Sequence, residues 1–100
     1  MAQVNWTFQA LEDVSAIAEY HEIHSERYAS HLVQTFFAKA ELLESFPLMG
    51  RIVPETSITS IRELIVNNYR VIYAVTNKDE VNILTVRHSS KPLADFPISE

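Results

Sequence analysis

One hundred residues and 11.5 kDa make a chain of single-domain size, read as one domain over residues 1–100. Apolar residues at 47% and charged residues at 21% exclude a disordered or fibrous chain. The absence of cysteine excludes a disulfide scaffold, a thiol nucleophile and any Cys-ligated metal or cluster. The N-terminus lacks a basic start followed by an apolar stretch, so no signal peptide is expected. The longest apolar run, Val71 to Val75, is far short of a membrane span, which sets a cytoplasmic default without membrane contact.

Val4, Trp6 and Phe8 alternate with Asn5 and Thr7 and predict one short strand. Leu11, Val14, Ile17 and Ala18 then recur at helical spacing from about Gln9 to His21. Ser25 is positioned to cap a second helix. Its broad apolar face includes Tyr28, Leu32, Val33, Phe36, Phe37, Ala40 and Leu43, and it is expected to end before Pro47. Spaced in this way, Tyr28, Phe36 and Phe37 read as core rather than as a stacking platform. The short break between the helices predicts an antiparallel helical hairpin.

A loop containing Pro47, Gly50 and Pro54 follows. Ile61–Val66, Tyr69–Thr76 and Val81–Arg87 are rich in β-branched and aromatic residues and predict three strands. Asn67-Asn68 and the segment from Asn77 to Glu80 supply the turns. Lys91 to Glu100 reads as a non-regular tail. The predicted class is α+β, in the order β-α-α-β-β-β.

Charge is divided unevenly. Residues 1–50 hold two basic and seven acidic residues, a balance of −5; residues 51–100 hold six of each, a balance of zero. Between Arg51 and Lys91 six basic residues face four acidic ones. Anion chemistry therefore belongs to the second half, where four of the six basic residues are arginines.

Arg70 stands mid-strand on the face shared with Ile72 and Ala74, opposite Tyr69, Val71, Tyr73 and Val75. Such a charge must be paired or reach an anion. It is either an anion contact on an open sheet face or an ion pair with Glu63 or Glu55. Arg87 and His88 are consecutive in a strand, so only one shares Arg70's surface. His88 could act as a general acid/base or simply bind a neighbouring loop. Arg51 is either a target contact or a cap for helix carbonyls near Ser45. Arg62 reads as a rim charge. His21 and His24 have ligand-like spacing, but their place at the helix break reads as a solvated helix end, and no metal site is expected.

Three stretches together resemble the RelE/ParE family of toxins from type II toxin–antitoxin pairs, most of all its ParE branch. The first is Trp6-Thr7 with Ala10, Asp13-Val14, Ile17 and Tyr20. The second runs from Pro47-Leu48-Met49-Gly50-Arg51 to Glu55. The third is Ile61 to Val66 with Asn68 to Tyr73, continued by Ile83 to His88. The resemblance implies a helical hairpin on a small antiparallel sheet that includes the N-terminal strand. It also implies a cognate antitoxin partner, a role in plasmid stabilisation and no cofactor.

ParE-like members act on DNA gyrase and trap cleaved DNA. RelE-like members cut messenger RNA at the ribosome, using several basic residues and often a tyrosine or histidine near the C-terminus. The tail after His88 has no tyrosine, and a net charge of −5 opposes binding to a dense phosphate surface. The expected function is gyrase inhibition rather than enzymatic cleavage, with Arg51, Arg62, Arg70 and Arg87 as target or anion contacts. The alternatives are a ribosome-dependent endonuclease using Arg70, Arg87 and His88, and a non-toxic antitoxin-binding regulatory domain.

Overall fold

The computed structural model describes residues 1–94 and Phe96. The elements are β1 (Gln3–Trp6), α1 (Phe8–Glu22), α2 (Glu26–Glu41), a 3-10 turn (Leu42–Glu44), β2 (Arg51–Ile52), β3 (Ile61–Val66), β4 (Tyr69–Val75) and β5 (Glu80–His88). The α+β class and the order of the main elements match the sequence reading. Five strands form one sheet in the order β1-β5-β4-β3-β2. The sheet is not wholly antiparallel: β1 runs parallel to β5, with Val4 opposite Val81 and Trp6 opposite Ile83. The α1–α2 hairpin supplies the reversal that a parallel return needs.

Phe8 belongs to the helix rather than the strand. The Thr7 hydroxyl accepts the Ala10 N–H and so starts α1 at Phe8, whose side chain is exposed. Ser25 caps α2 as the sequence predicts, by accepting the Tyr28 N–H. At its C-terminal end α2 passes into the tighter turn Leu42–Glu44 three residues ahead of Pro47. The two-residue β2 lies in what reads as loop, because its pairing with Arg62 and Glu63 is a long-range contact. Asn67 takes the left-handed conformation, φ 53°, in the two-residue turn between β3 and β4.

The sheet has two covered faces. On one, the helical hairpin buries Ala10, Val14, Leu32, Phe36, Ala40 and Leu43 against Leu64, Val66, Val71, Tyr73, Val81, Ile83 and Val86. On the other, the loop after β2 and the segment after β5 close over a smaller cluster of Val53, Ile61, Ile72 and Leu93. Of the three helical aromatics expected in the core only Phe36 is fully buried; Tyr28 and Phe37 are partly exposed, because each lies at the margin of the α2 stripe. Phe37 instead packs on Trp6, with ring centroids 4.5 Å apart.

A β-bulge fixes which side chains share a face. Ile72 pairs with Thr85 but Tyr73 pairs with Ile83, so Leu84 is an extra residue in β5. The phase of β5 therefore flips. Val81 and Ile83 face the helices, and beyond the bulge Val86 does too.

Gly50 anchors the loop into the sheet. Its N–H donates to the buried Tyr73 hydroxyl at 2.9 Å, and Arg62 Nη1 donates to the Gly50 carbonyl at 3.0 Å. A Cβ at this position would lie 2.6 Å from both the Glu63 carbonyl oxygen and the Tyr73 hydroxyl. Gly50→Ala is therefore expected to destabilise the protein by about 1–3 kcal/mol through overpacking. At about 4–8 °C per kcal/mol for a domain of this size, the loss is readable in thermal melting. An unchanged melting temperature would refute the close approach.

Candidate functional site

On the sheet face away from the helices, Glu63 sits mid-strand and is 1% exposed. A carboxylate so buried must be paired. Arg70 is its diagonal neighbour: Arg70 stands opposite Ile65, two residues along β3 from Glu63 and on the same face. Arg70 Nε donates to Glu63 Oε1 at 2.7 Å, and Arg51 Nε donates to the other carboxylate oxygen. Arg70 Nη1 and Nη2 then donate to the two oxygens of Glu55, at 2.8 and 2.7 Å. This is a bidentate fork, the strong form of such a pair.

The guanidinium beside Glu55 holds its carboxyl well below the usual range, from 4.5 down to about 2. Arg70 is shifted further upward, first by its bonds to Glu55, then against desolvation with help from Glu63. Two arginines and two carboxylates thus form a chain with no net charge.

Of the two expectations for Arg70, the structure places it in the ion pair: the residue is 5% exposed and both carboxylates occupy its guanidinium. Arg51 does not cap carbonyls near Ser45; β2 carries it to Glu63, though its side chain is 62% exposed. Arg62 does more than sit at the rim. It binds the carbonyls of Thr59, Leu48 and Gly50 and fixes the loop before β2. Arg87 pairs across the strands with Arg70. Its Nη1 donates to the Pro92 carbonyl, and its guanidinium lies 5.1 Å from the centre of the Phe96 ring. His88 pairs with Tyr69 and so belongs to the helix face. The sheet separates His88 from the two arginines, and the three do not converge.

A second feature escapes sequence reading. A cleft of about 670 Å³ opens between α1, the start of α2 and the near ends of β4 and β5. Its lining includes Asp13, Tyr20, His21, Tyr28, Tyr69, His88 and Lys91. His21 is no solvated helix end. Its Nε2 lies 2.9 Å from the Tyr69 hydroxyl, and its ring meets Tyr20 and Tyr28 edge-on at about 5 Å. Burial raises the Tyr69 phenol above its usual range, with smaller contributions from Tyr28 and Tyr20.

Asp13 closes the edge of β5 where β1 ends. One oxygen accepts both the Thr85 hydroxyl and the Val86 N–H, and the other accepts from Gln9. The only signal for the cleft in the sequence is the placement of Tyr20 and Tyr28 on either side of the helix break.

The architecture and these residues can be set beside known proteins. The model of the ParE toxin of type II toxin–antitoxin systems matches residues 4–93. The chain belongs to this toxin family. Toxin RelE2 of Caulobacter vibrioides is 33% identical over 91 residues, which cover 91% of this chain and 99% of that one. Among solved structures, a chain of the chromosomal ParDE system of P. aeruginosa superposes with a TM-score of 0.74 at 21% identity, covering 88% of this chain and 96% of the other.

A chain of the Mycobacterium tuberculosis RelBE2 toxin–antitoxin complex gives 0.56 at 21% identity, covering 87% and 96%. An arginine double mutant of E. coli RelE in the free state gives 0.57 at 18% identity, covering 90% and 86%. These structures share the fold: two helices on a five-stranded, mostly antiparallel sheet. No helix among the described residues of this ParE-family chain is long and apolar enough to cross a membrane.

The ion-pair chain makes two measurable demands on the toxin's stability. Arg70→Leu leaves two carboxylates without their shared partner and should cost about 3–5 kcal/mol. Arg51→Ala, at an exposed end, should cost about 1 kcal/mol or less. Urea denaturation would reverse the assignment if the two losses were equal.

The pH dependence has a definite sign. The depressed carboxyl of Glu55 contributes stability above its unfolded value of 4.5, and this is lost as pH falls toward about 2. The stability gap between the parent and Glu55→Gln should therefore close over that window. A gap that stays constant from neutral pH to pH 2 would contradict the pairing.

Proposed function

We propose that this chain is a ParE-like toxin neutralised by a cognate antitoxin, and that it inhibits DNA gyrase rather than cutting messenger RNA. The observation that carries this reading is the state of Arg70. The resemblance to the RNA-cutting branch implies a phosphate contact for an arginine at this position. Here it is enclosed, and Glu55 and Glu63 take up its donors. A phosphate at this position would have to displace two carboxylates and would meet their charge.

The candidate nuclease trio is also divided by the sheet, with Arg70 and Arg87 on one face and His88 on the other. His88 Nδ1 accepts the Ser90 N–H at 3.1 Å, a loop contact rather than an approach to an arginine. The overall charge of −5 supports a protein target over a ribosomal phosphate surface. The ParE family match supports the same reading, and the ParDE and RelBE2 systems support an antitoxin partner.

The second reading, a ribosome-dependent endonuclease, is favoured by the likeness to Toxin RelE2. Purified protein is expected to inhibit gyrase supercoiling, raise the yield of gyrase-cleaved DNA and leave ribosome-bound message intact. His88→Ala should keep this activity, whereas a nuclease that used His88 as acid or base would lose about 10²–10⁴-fold. Cleavage of message at the ribosomal A site with normal supercoiling would replace the first reading by the second. Co-expression with the product of the adjoining reading frame should give one complex in size exclusion; two independently migrating proteins would count against an antitoxin partner.

A further inference from the structure

The sheet has two outer strands, and their edges are guarded differently. An open edge presents unpaired N–H and C=O groups that invite another strand, and proteins block such edges with charge, proline or shortness. β2 is blocked: it is two residues long, and one of them is Arg51. β1 is not. From Gln3 to Thr7 the chain has no charged residue and no proline. Among the described residues no strand lies beyond β1.

The pairing with β5 fixes where each backbone group of β1 points. The Gln3 and Thr7 N–H groups donate to the carbonyls of Asp79 and Ile83, at 3.0 and 3.1 Å. Successive strand residues aim these groups to opposite sides, so Asn5 also faces β5, while Val4 and Trp6 face outward. The Ala2 N–H points outward too, but the Glu44 carbonyl takes it at 2.9 Å and ends the open edge there. What remains is the N–H and C=O of Val4 and of Trp6, with Asn5 midway between them.

This pattern is its own complement. In an antiparallel pair, every second set of opposed residues exchanges both of its hydrogen bonds. Laid antiparallel about Asn5, Val4 of one copy stands opposite Trp6 of the other, and Trp6 opposite Val4. Both pairs fall at bonded positions, and the two Asn5 residues meet on the two-fold axis as the unbonded pair. Asn5 brings no charge to that axis, and its side-chain amide is held by Glu80 and Asn82.

The flanks agree with this pairing. It runs Met1 of each copy, 89% exposed, toward Phe8 of the other, 77% exposed. Trp6, stacked on the partly exposed Phe37, stands at the same edge on the helix side. Covering these apolar groups favours association. A loose peptide would lose conformational freedom in making the same few bonds, whereas a second copy brings its strand already fixed in a sheet.

We propose that β1 is a self-association edge, through which two copies of this chain join into one continuous sheet with its two-fold axis at Asn5. The interface is small, so the dimer is weak and concentration-dependent. The proposal does not depend on whether the toxin targets gyrase.

The test is sedimentation and amide hydrogen exchange of the full chain from about 10 µM to about 1 mM, the range in which a small interface associates. The dimer fraction is expected to rise across this range and to rise further with salt, which screens the −5 on each copy. The Val4 and Trp6 amides should gain at least about fivefold protection at the high end, while the Asn5 amide, already bonded to β5, changes little.

Val4→Pro removes an outward N–H that β5 does not use and should weaken the dimer at least about tenfold. Phe8→Glu, at an exposed position in the first turn of α1, should weaken it while the melting temperature holds. The proposal is overturned by a chain that stays monomeric at the highest concentration. It is also overturned by a dimer whose Val4 and Trp6 amides exchange freely, or by one that both variants form as well as the parent. Protection of those amides only on adding the antitoxin, with the chain alone monomeric, would overturn it too and give the edge to that partner.

Discussion

The far side of the sheet depends on the need to neutralise one buried carboxylate. Glu63 lies mid-strand under a covering loop, where an unpaired charge would cost several kcal/mol. Arg70 reaches it along the diagonal of β3 and β4, Arg51 reaches it from β2, and Arg70 passes the connection on to Glu55. The pairings tie the loop from Arg51 to Glu55 down onto the sheet. They place Val53 over Ile61 and Ile72 and so build the second apolar cluster. Gly50 and Tyr73 fix the start of the same loop from within the main core. The charge chain and the small apolar cluster support each other, because burial strengthens the pairs and the pairs hold the loop that buries them.

This arrangement has a functional consequence. Arg70 is the centre of a neutral cluster. Its donors are taken up by the protein's own carboxylates, Glu55 and Glu63. Arg51 forms the exposed end of that cluster, and Lys91 lies at the lining of the helix-face cleft. The two faces therefore differ in chemistry: one holds the ion-pair chain with Arg87 beside it, and the other presents the rings of Tyr20, His21, Tyr28 and Tyr69.

The bulge at Leu84 makes that division. With strict alternation from Val81 and Ile83, Arg87 would face the helices and His88 would face away. One extra residue reverses this. Arg87 joins Arg70, and His88 joins Tyr69 and His21. Past the bulge β5 has no strand on its outer edge, and Asp13 from α1 supplies the missing acceptor for Val86. The helix thereby stands in for β1 where β1 stops.

The sequence by itself determined what local forces decide. Ser25 set the start of the second helix, because a cap acts on the next turn. Enrichment in β-branched and aromatic residues between Ile61 and Thr76 set two strands, and the two-residue repeat set the faces of the second, because successive strand side chains point to opposite sides. The pairing choices for Arg70 were legible too, since a mid-strand charge admits few outcomes and Glu63 and Glu55 were its named partners. The tertiary structure decided what depends on contacts between distant segments. The parallel pairing of β1 with β5 and the existence of β2 are set by register, which local propensity does not encode. His21 became a bonded neighbour of Tyr69, 48 positions away, instead of a solvated helix end. The separation of His88 from the arginines turned on a single unpaired residue, Leu84, an apolar residue as common in a regular strand as in a bulge; only the partner strand shows that the ladder has slipped.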